Sequence, residues 1–376
     1  PGSAAAAANL ASVLNDLGRH AEAAAAARDA LALEPDFAEA LNNLGNALMG
    51  LGNAKEALNN YRLAAAINPS DASILFNLGS AVAAAGGLDE ALGHFQRAVE
   101  LDPESAEKRF HLANTALALD RYRQAEEEFS KALAIDADYA DALNNLGSAL
   151  QGQGRLEEAI TSFRRAAELE PDSGDLHWNL ALALLQDGQF EEGWAEYEWR
   201  WKNPDFTTPA RNFSPPRWDG GALDGRTILV HAEQGMGDAL LAARFLPLVA
   251  GRGGAVVLEC RPPLARLLAA VDGVGSVVEA GNPLPEFDCQ IAMMSLPGLF
   301  KTTLEAIPGK VPYLAVPETA KAAPELAGGE GLKVGFAWAG SPTRRDDHKR
   351  SLEPGRLETL FEVPGCRFFS LQVGER

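Results

Sequence analysis

The stretch Leu229-Val230-His231-Ala232-Glu233-Gln234-Gly235-Met236-Gly237-Asp238 divides the chain into two architectures. Before it ends, an apolar run from Thr227 to Val230 has the length and composition of a buried strand. The run stops at a hinge containing Gly235 and Gly237, where the backbone can turn sharply and a ligand can come close to it. A helical pattern begins at Ala239, headed by the acidic Asp238. Strand, glycine hinge and acid-headed helix predict the first unit of an α/β domain with a parallel sheet.

Towards the C-terminus the pattern repeats. Residues 255–259 form a second apolar run, with a helical stretch at 263–271 behind it, and short strands are predicted at 276–279 and 287–292. Residues 308–332 are loose and rich in Pro, Gly and Ala. A new strand then opens at Lys333-Val334-Gly335-Phe336-Ala337-Trp338, followed by a helix near 354–362 and a strand at 367–371. This second start predicts a second α/β domain, with a cleft between the two. On the other side of the opening stretch, residues 203–221 hold Pro204, Pro209, Pro215 and Pro216 but also Phe206, Phe213 and Trp218. Prolines exclude a helix, and the aromatics predict a segment packed onto a surface instead of a free tether.

Everything before residue 203 follows a 34-residue period. Pro35, Pro69, Pro103 and Pro171 lie on one grid, with Ala137 at the vacant node. Gly18, Gly52, Gly86, Gly154 and Gly188 lie on a second, with Asp120 as the exception. Tyr61, Phe95, Phe129, Phe163 and Tyr197 make a third, and Ala57, Ala91, Ala125 and Ala159, continued by Gly193, a fourth. The reading is a helix–turn–helix unit. Small residues let two helices approach, an aromatic fills the gap to the next unit, and proline ends the second helix. The first unit has Ala27 where an aromatic belongs. The last has Arg200 where earlier units have Ala132 and Ala166, and it holds Trp178, Trp194, Trp199 and Trp201. That unit is expected to cap the array and dock on the α/β part.

The net charge of −19 argues against a nucleic-acid partner, whose phosphates would be repelled. Residues 332–376 are the exception, with eight basic against six acidic side chains, which suits an anionic small ligand. No apolar run approaches the roughly 20 residues of a membrane helix, so no membrane association is expected. Cys260, Cys289 and Cys366 form no Cys-x-x-Cys pair, which predicts neither a disulfide framework nor a metal site and favours a reducing cytoplasm.

The grids over residues 4–207, about six units, resemble the tetratricopeptide repeat (TPR) family, whose first helices line the concave face of a superhelix. At one register of those helices stand Asn9, Asn43, Asn77, His111, Asn145 and Asn179. Carboxamides at this spacing offer donors and acceptors to the backbone of an extended peptide. The column resembles the asparagine ladder of TPR-bearing O-GlcNAc transferases, which implies that Asn43, Asn77, His111, Asn145 and Asn179 bind a protein or peptide acceptor. The alternative is that each carboxamide bonds within its own unit.

The α/β half carries a second resemblance, in residues 231–238, Pro297 after Met294-Ser295-Leu296, Val311-Pro312-Tyr313-Leu314, and Val334-Gly335-Phe336-Ala337-Trp338-Ala339-Gly340-Ser341-Pro342. These look like bacterial TPR–glycosyltransferase fusions whose catalytic part is similar to heptosyltransferases, with the GT-B fold of two Rossmann-like domains. The organisation this implies is TPR repeats at 4–207, a packed linker at 208–225, a Rossmann-like acceptor domain at 226–325 and the beginning of a donor domain at 332–376. Only about 45 residues belong to that last part, and the family's later Asp-Thr…His donor motif is absent. The second domain is therefore expected to be incomplete.

Sugar transfer needs a base for the acceptor hydroxyl and positive groups for the leaving diphosphate. The resemblance implies that Asp238 is the base and that a nucleotide-sugar is the substrate, with no further cofactor or metal. Aspartate also favours helix starts, which is the structural alternative for Asp238. Glu233, Gln234, Gly235 and Gly237 would form the acceptor loop. Ser341, Arg344, Lys349 and Arg350 would hold the donor phosphates, the alternative being a solvated loop with internal ion pairs. His231 is expected to be a packing residue at the strand end. A TPR interaction adaptor with a non-catalytic α/β part is the competing reading of the whole chain.

Overall fold

The computed structural model describes residues 2–309, 311–316, 329–339 and 351–371. Its contacts divide after Leu314 into two units.

The first unit opens with twelve helices among its described residues, in six pairs. They are α1 Ala4–Asp16 and α2 His20–Leu33, α3 Ala38–Gly50 and α4 Ala54–Ile67, α5 Ala72–Ala84 and α6 Leu88–Leu101, α7 Ala106–Ala118 and α8 Tyr122–Ile135, α9 Ala140–Gly152 and α10 Leu156–Leu169, and α11 Gly174–Asp187 and α12 Phe190–Tyr197. The glycine grid marks the turn inside each pair. Gly18, Gly52, Gly86, Gly154 and Gly188 all have φ between 71° and 88°, the left-handed conformation that ends a helix, and Asp120 adopts it too at 55°. Ala57, Ala91, Ala125 and Ala159 of the alanine grid are wholly buried. The aromatic grid does more than expected. Tyr61, Phe95 and Phe163 lie against Gly45, Gly79 and Gly147 of their own unit's first helix, so the ring fills the gap within the pair, and Phe95 also stands 5.8 Å from His111 of the next unit.

After a short 3-10 turn at Glu198–Lys202, the chain runs without helix to a four-stranded parallel sheet. Its strands are β1 Thr227–His231, β2 Ala255–Cys260, β3 Val274–Glu279 and β4 Cys289–Ala292, in the order β3-β2-β1-β4. The hydrophobic run at 227–230 is thus the central strand, and Ile228, Leu229 and Val230 are wholly buried because both faces are covered. The helix after it, α13 Met236–Ala242, starts three residues before the predicted Ala239. The Asp238 carboxylate bonds back to the Gly235 N–H and draws the hinge into the first turn. Helices α14 Leu246–Ala250, α15 Pro262–Leu268 and α16 Leu296–Leu299 complete this part. One face of the sheet, with Ile228, Val230, Val256, Leu258 and Ile291, shares a single core with Ala181 and Tyr197 of the last helix pair.

Strand alternation puts Leu229, His231, Val257, Glu259 and Gln290 on the other face. The linker covers it. Phe213 packs on His231 and Phe287, Arg211 pairs with Glu259, and Pro216 and Trp218 exchange backbone bonds with Gln290 along the outer edge of β4.

The second unit contains a two-stranded parallel sheet, β5 Leu332–Phe336 with β6 Cys366–Ser370, connected through a short helix α17 Glu358–Phe361. Among the described residues no helix is long and apolar enough to cross a membrane.

Candidate functional site

The first helices of successive units lie beside one another. On each, positions i, i+3, i+4 and i+7 share a face. In α3 these are Glu39, Asn42, Asn43 and Asn46; in α9 they are Asp141, Asn144, Asn145 and Ser148. Asn9 is exposed, but Asn43, Asn77, Asn145 and Asn179 are half-buried on this face. Each of the four donates to the preceding unit, which neither sequence alternative anticipated; Asn145 also accepts from Asn144 Nδ2 at 3.1 Å. Asn43 Nδ2 donates to the Ala8 carbonyl at 3.0 Å, Asn77 Nδ2 to Asn42 Oδ1 at 3.0 Å, Asn145 Nδ2 to Asn114 Oδ1 at 2.7 Å, and Asn179 Nδ2 to Asn144 Oδ1 at 2.9 Å. Each bond fixes the plane of a carboxamide. His111 interrupts the column. It packs edge-on against Phe76 at 4.9 Å and Phe110 at 5.6 Å, and burial lowers its basicity.

At the carboxyl end of the sheet, strand order reverses at β1, with β2 and β3 on one side and β4 on the other. Open parallel sheets bind ligands in the crevice at such a point. Asp238 stands there half-buried, one carboxylate oxygen 2.9 Å from the Gly235 nitrogen, while Gly235 and Gly237 are exposed. Glu233 and Gln234 are committed elsewhere. Glu233 is 3% exposed, and its carboxylate accepts from Arg200 Nη2 at 3.1 Å and from the Met294 N–H at 3.2 Å. Burial pushes its pKa up against the pull of Arg200. Gln234 has φ of 66°; its Nε2 donates to the Tyr197 hydroxyl at 2.5 Å, its N–H to Thr208 Oγ1, and its carbonyl accepts from Arg261.

Arg200 is the centre of this arrangement and is wholly buried. Besides Glu233 it donates to Ser295 Oγ at 2.7 Å, to Glu198 Oε1 at 3.0 Å and to the Tyr197 carbonyl, and it lies over the rings of Tyr197 and Trp201. Burial opposes the charge on Glu198, but Arg200, Arg217 and Ser295 outweigh it and hold its carboxyl below the ordinary range. The last repeat thus reaches across to the loops after both β1 and β4. The sequence signal was the arginine in an alanine register; its partners Glu233 and Ser295 carried none. His231 is a packing residue, 6% exposed, bonded to Gln290 at 3.1 Å and pushed down to about 4 by burial. Ser341, Arg344, Lys349 and Arg350 lie outside the described residues. Among the described residues no group of His, Cys, Asp and Glu has metal-binding geometry.

Comparison with known proteins bears on the repeats. Tetratricopeptide repeat models match residues 8–72, 42–106 and 82–150, and a TPR repeat model matches 152–188. The curated protein FlbA of Caulobacter vibrioides is 28% identical over 206 residues, which are 49% of this chain and 34% of FlbA. The chain therefore spans about a third of that relative's length. Among solved structures, YrrB, described as a TPR protein with an unusual peptide-binding site, is 25% identical with a TM-score of 0.42, covering 48% of this chain and 90% of its own. A tetratricopeptide repeat protein from Parabacteroides merdae is 22% identical with a TM-score of 0.46, covering 53% and 78% respectively. MamA from Desulfovibrio magneticus is 22% identical at a TM-score of 0.41, covering 43% and 91%. Through Gly188, the N-terminal half of this chain is built of tetratricopeptide repeats.

Proposed function

We propose that this chain is a polypeptide-binding scaffold whose first-helix face holds an extended segment of a partner protein. The supporting observation is the state of the carboxamide column. Asn43, Asn77 and Asn179 each spend an N–H on the preceding unit, which turns the amide and leaves Oδ1 to accept from a ligand backbone N–H. An acceptor already oriented saves the ordering cost of binding. The test is replacement of Asn43, Asn77 and Asn179 together by alanine, with affinity for partner-derived peptides read by fluorescence anisotropy. At about 1 kcal/mol per bond, two or three lost bonds should weaken binding on the order of a hundredfold. Unchanged affinity would sink the reading.

A second reading makes the same scaffold a cytoplasmic glycosyltransferase that moves a sugar from a nucleotide-sugar to a hydroxyl of the bound polypeptide. It treats the sheet as the acceptor half of a GT-B-like pair of Rossmann-like domains. Its support is the position of Asp238, a half-exposed carboxylate where strand order reverses. In this reading Asp238 is the base, Gly235 and Gly237 admit the acceptor, and Ser341, Arg344, Lys349 and Arg350 contact the donor phosphates. Glu233 and Gln234 hold the loop in place. Calorimetric titration with nucleotide-sugars separates the readings, because a scaffold alone takes up none. In a complete enzyme Asp238→Asn should abolish transfer while peptide binding persists.

A further inference from the structure

The first-helix face is polar along most of its length, and it changes character in the middle. At the register where α3 and α9 carry Asn42 and Asn144, α5 and α7 carry Phe76 and Phe110. Both rings are only half-buried, as are His111 and Tyr139 beside them. The four form a continuous shelf, with Phe76 4.9 Å from His111, His111 5.6 Å from Phe110, and Phe110 4.7 Å from Tyr139. Burial lowers the basicity of His111. Aromatic rings left part-exposed among carboxamides have apolar area still to cover.

The charges at the shelf that lack an ion-pair partner among the described residues are acidic. Glu107 sits one turn before Phe110 on α7, and Asp141 occupies the same register of α9. Glu39 and Asp175 repeat it on α3 and α11, and all four are exposed with no ion pair among the described residues. Both cations of α7 are neutralised by ion pairs: Lys108, whose ammonium lies 5.8 Å over the Phe76 ring, pairs with Asp102 at 2.9 Å, and Arg109 pairs with Glu128 at 2.8 Å. The face therefore offers an apolar surface between unpaired carboxylates.

We infer that the shelf of Phe76, Phe110, His111 and Tyr139 selects an extended polypeptide that places an aliphatic or aromatic side chain at its centre and lysine or arginine on either side. The inference rests on the polypeptide-binding reading and names the sequence that reading leaves open. Neighbouring helices are about 8–10 Å apart and an extended chain rises about 3.3 Å per residue, so one repeat matches roughly three residues of ligand. At this register α5 carries Ser73, so the flanking carboxylates stand on α3 and α9 and the basic residues fall roughly three to six positions from the apolar one.

Three labelled synthetic peptides, titrated into the full chain by anisotropy, test this. The first has leucine at the centre with lysine three residues to each side; the second has serine for the leucine; the third has glutamate for the lysines. The first should bind about tenfold more tightly than the second, as expected for burying one leucine side chain, and more tightly than the third by a margin that shrinks with added salt. In the double variant Phe76→Asn with Phe110→Asn, which installs the residue type of the flanking units, the leucine-over-serine preference should vanish and the lysine-over-glutamate preference should remain. Equal binding of leucine and serine peptides by the unaltered protein overturns the shelf while leaving the scaffold standing. Saturable binding of none of the three overturns both. If the double variant does not fold, the comparison on the unaltered protein decides alone.

Discussion

A methyl group added at Gly147 would stand 2.7 Å from the ring of Phe163, which is itself 1% exposed and has nowhere to go. Gly147→Ala should therefore cost about 1–3 kcal/mol in urea unfolding, as overpacking does. Gly154→Ala, by contrast, meets nothing within 4 Å, and its cost is that of the left-handed backbone alone, about 1 kcal/mol or more. His231 makes a different kind of prediction. Its folded pKa of about 4 lies below the ordinary 6.5, so the unfolded chain binds the proton first as the pH falls. The stability this neutral histidine contributes is fully present above 6.5 and is lost on acidification towards 4, by about 2 kcal/mol at pH 5. Urea midpoints at pH 7.5 and pH 5 should differ less in His231→Asn than in the unaltered protein. An equal difference would show that His231 titrates normally.

Strands and paired helices were legible because each is a local pattern. The run at 227–230, the grids of Gly, Ala, aromatic and Pro, and the prolines of the linker depend on residues near one another in sequence. What escaped was contact between elements. The rings of Tyr61, Phe95 and Phe163 also enter their own unit because Gly45, Gly79 and Gly147 open a space there, and spacing alone does not say which neighbours an aromatic meets. The pairing of Arg200 with Glu233, 33 positions away, was equally out of reach. That contact makes the element-scale prediction. Arg200→Ala leaves the Glu233 carboxylate buried without its cation, and should lower stability by about 3–5 kcal/mol. Arg200→Met combined with Glu233→Met removes both charges and should recover most of the loss. If the double variant is no better than the single, packing and not charge explains the effect.

The last repeat and the sheet share one core, and Ala181, Tyr197 and Trp218 belong to it as fully as Ile228 and Val230 do. A fragment beginning at residue 208 should expose that apolar surface, bind a hydrophobic dye and lack a cooperative melt, whereas one beginning at residue 140 should melt as a single transition. The earlier units pack chiefly on their neighbours, so their removal should lower stability stepwise. The donor-phosphate residues expected at 341–350 rest on family likeness alone, since a mixed-charge stretch has no periodicity to interpret, and they lie outside the described residues. The Arg200 bridge also governs how such a chain can be remodelled. A recombination joint placed in the proline-rich linker would part the guanidinium from both of its receiving loops and yield two crippled halves. A joint upstream of Ala140 exchanges one helical pair for another of the same mould. Reach and taste for partners can thus change by swapping early repeats, while the final pair is inherited together with the sheet.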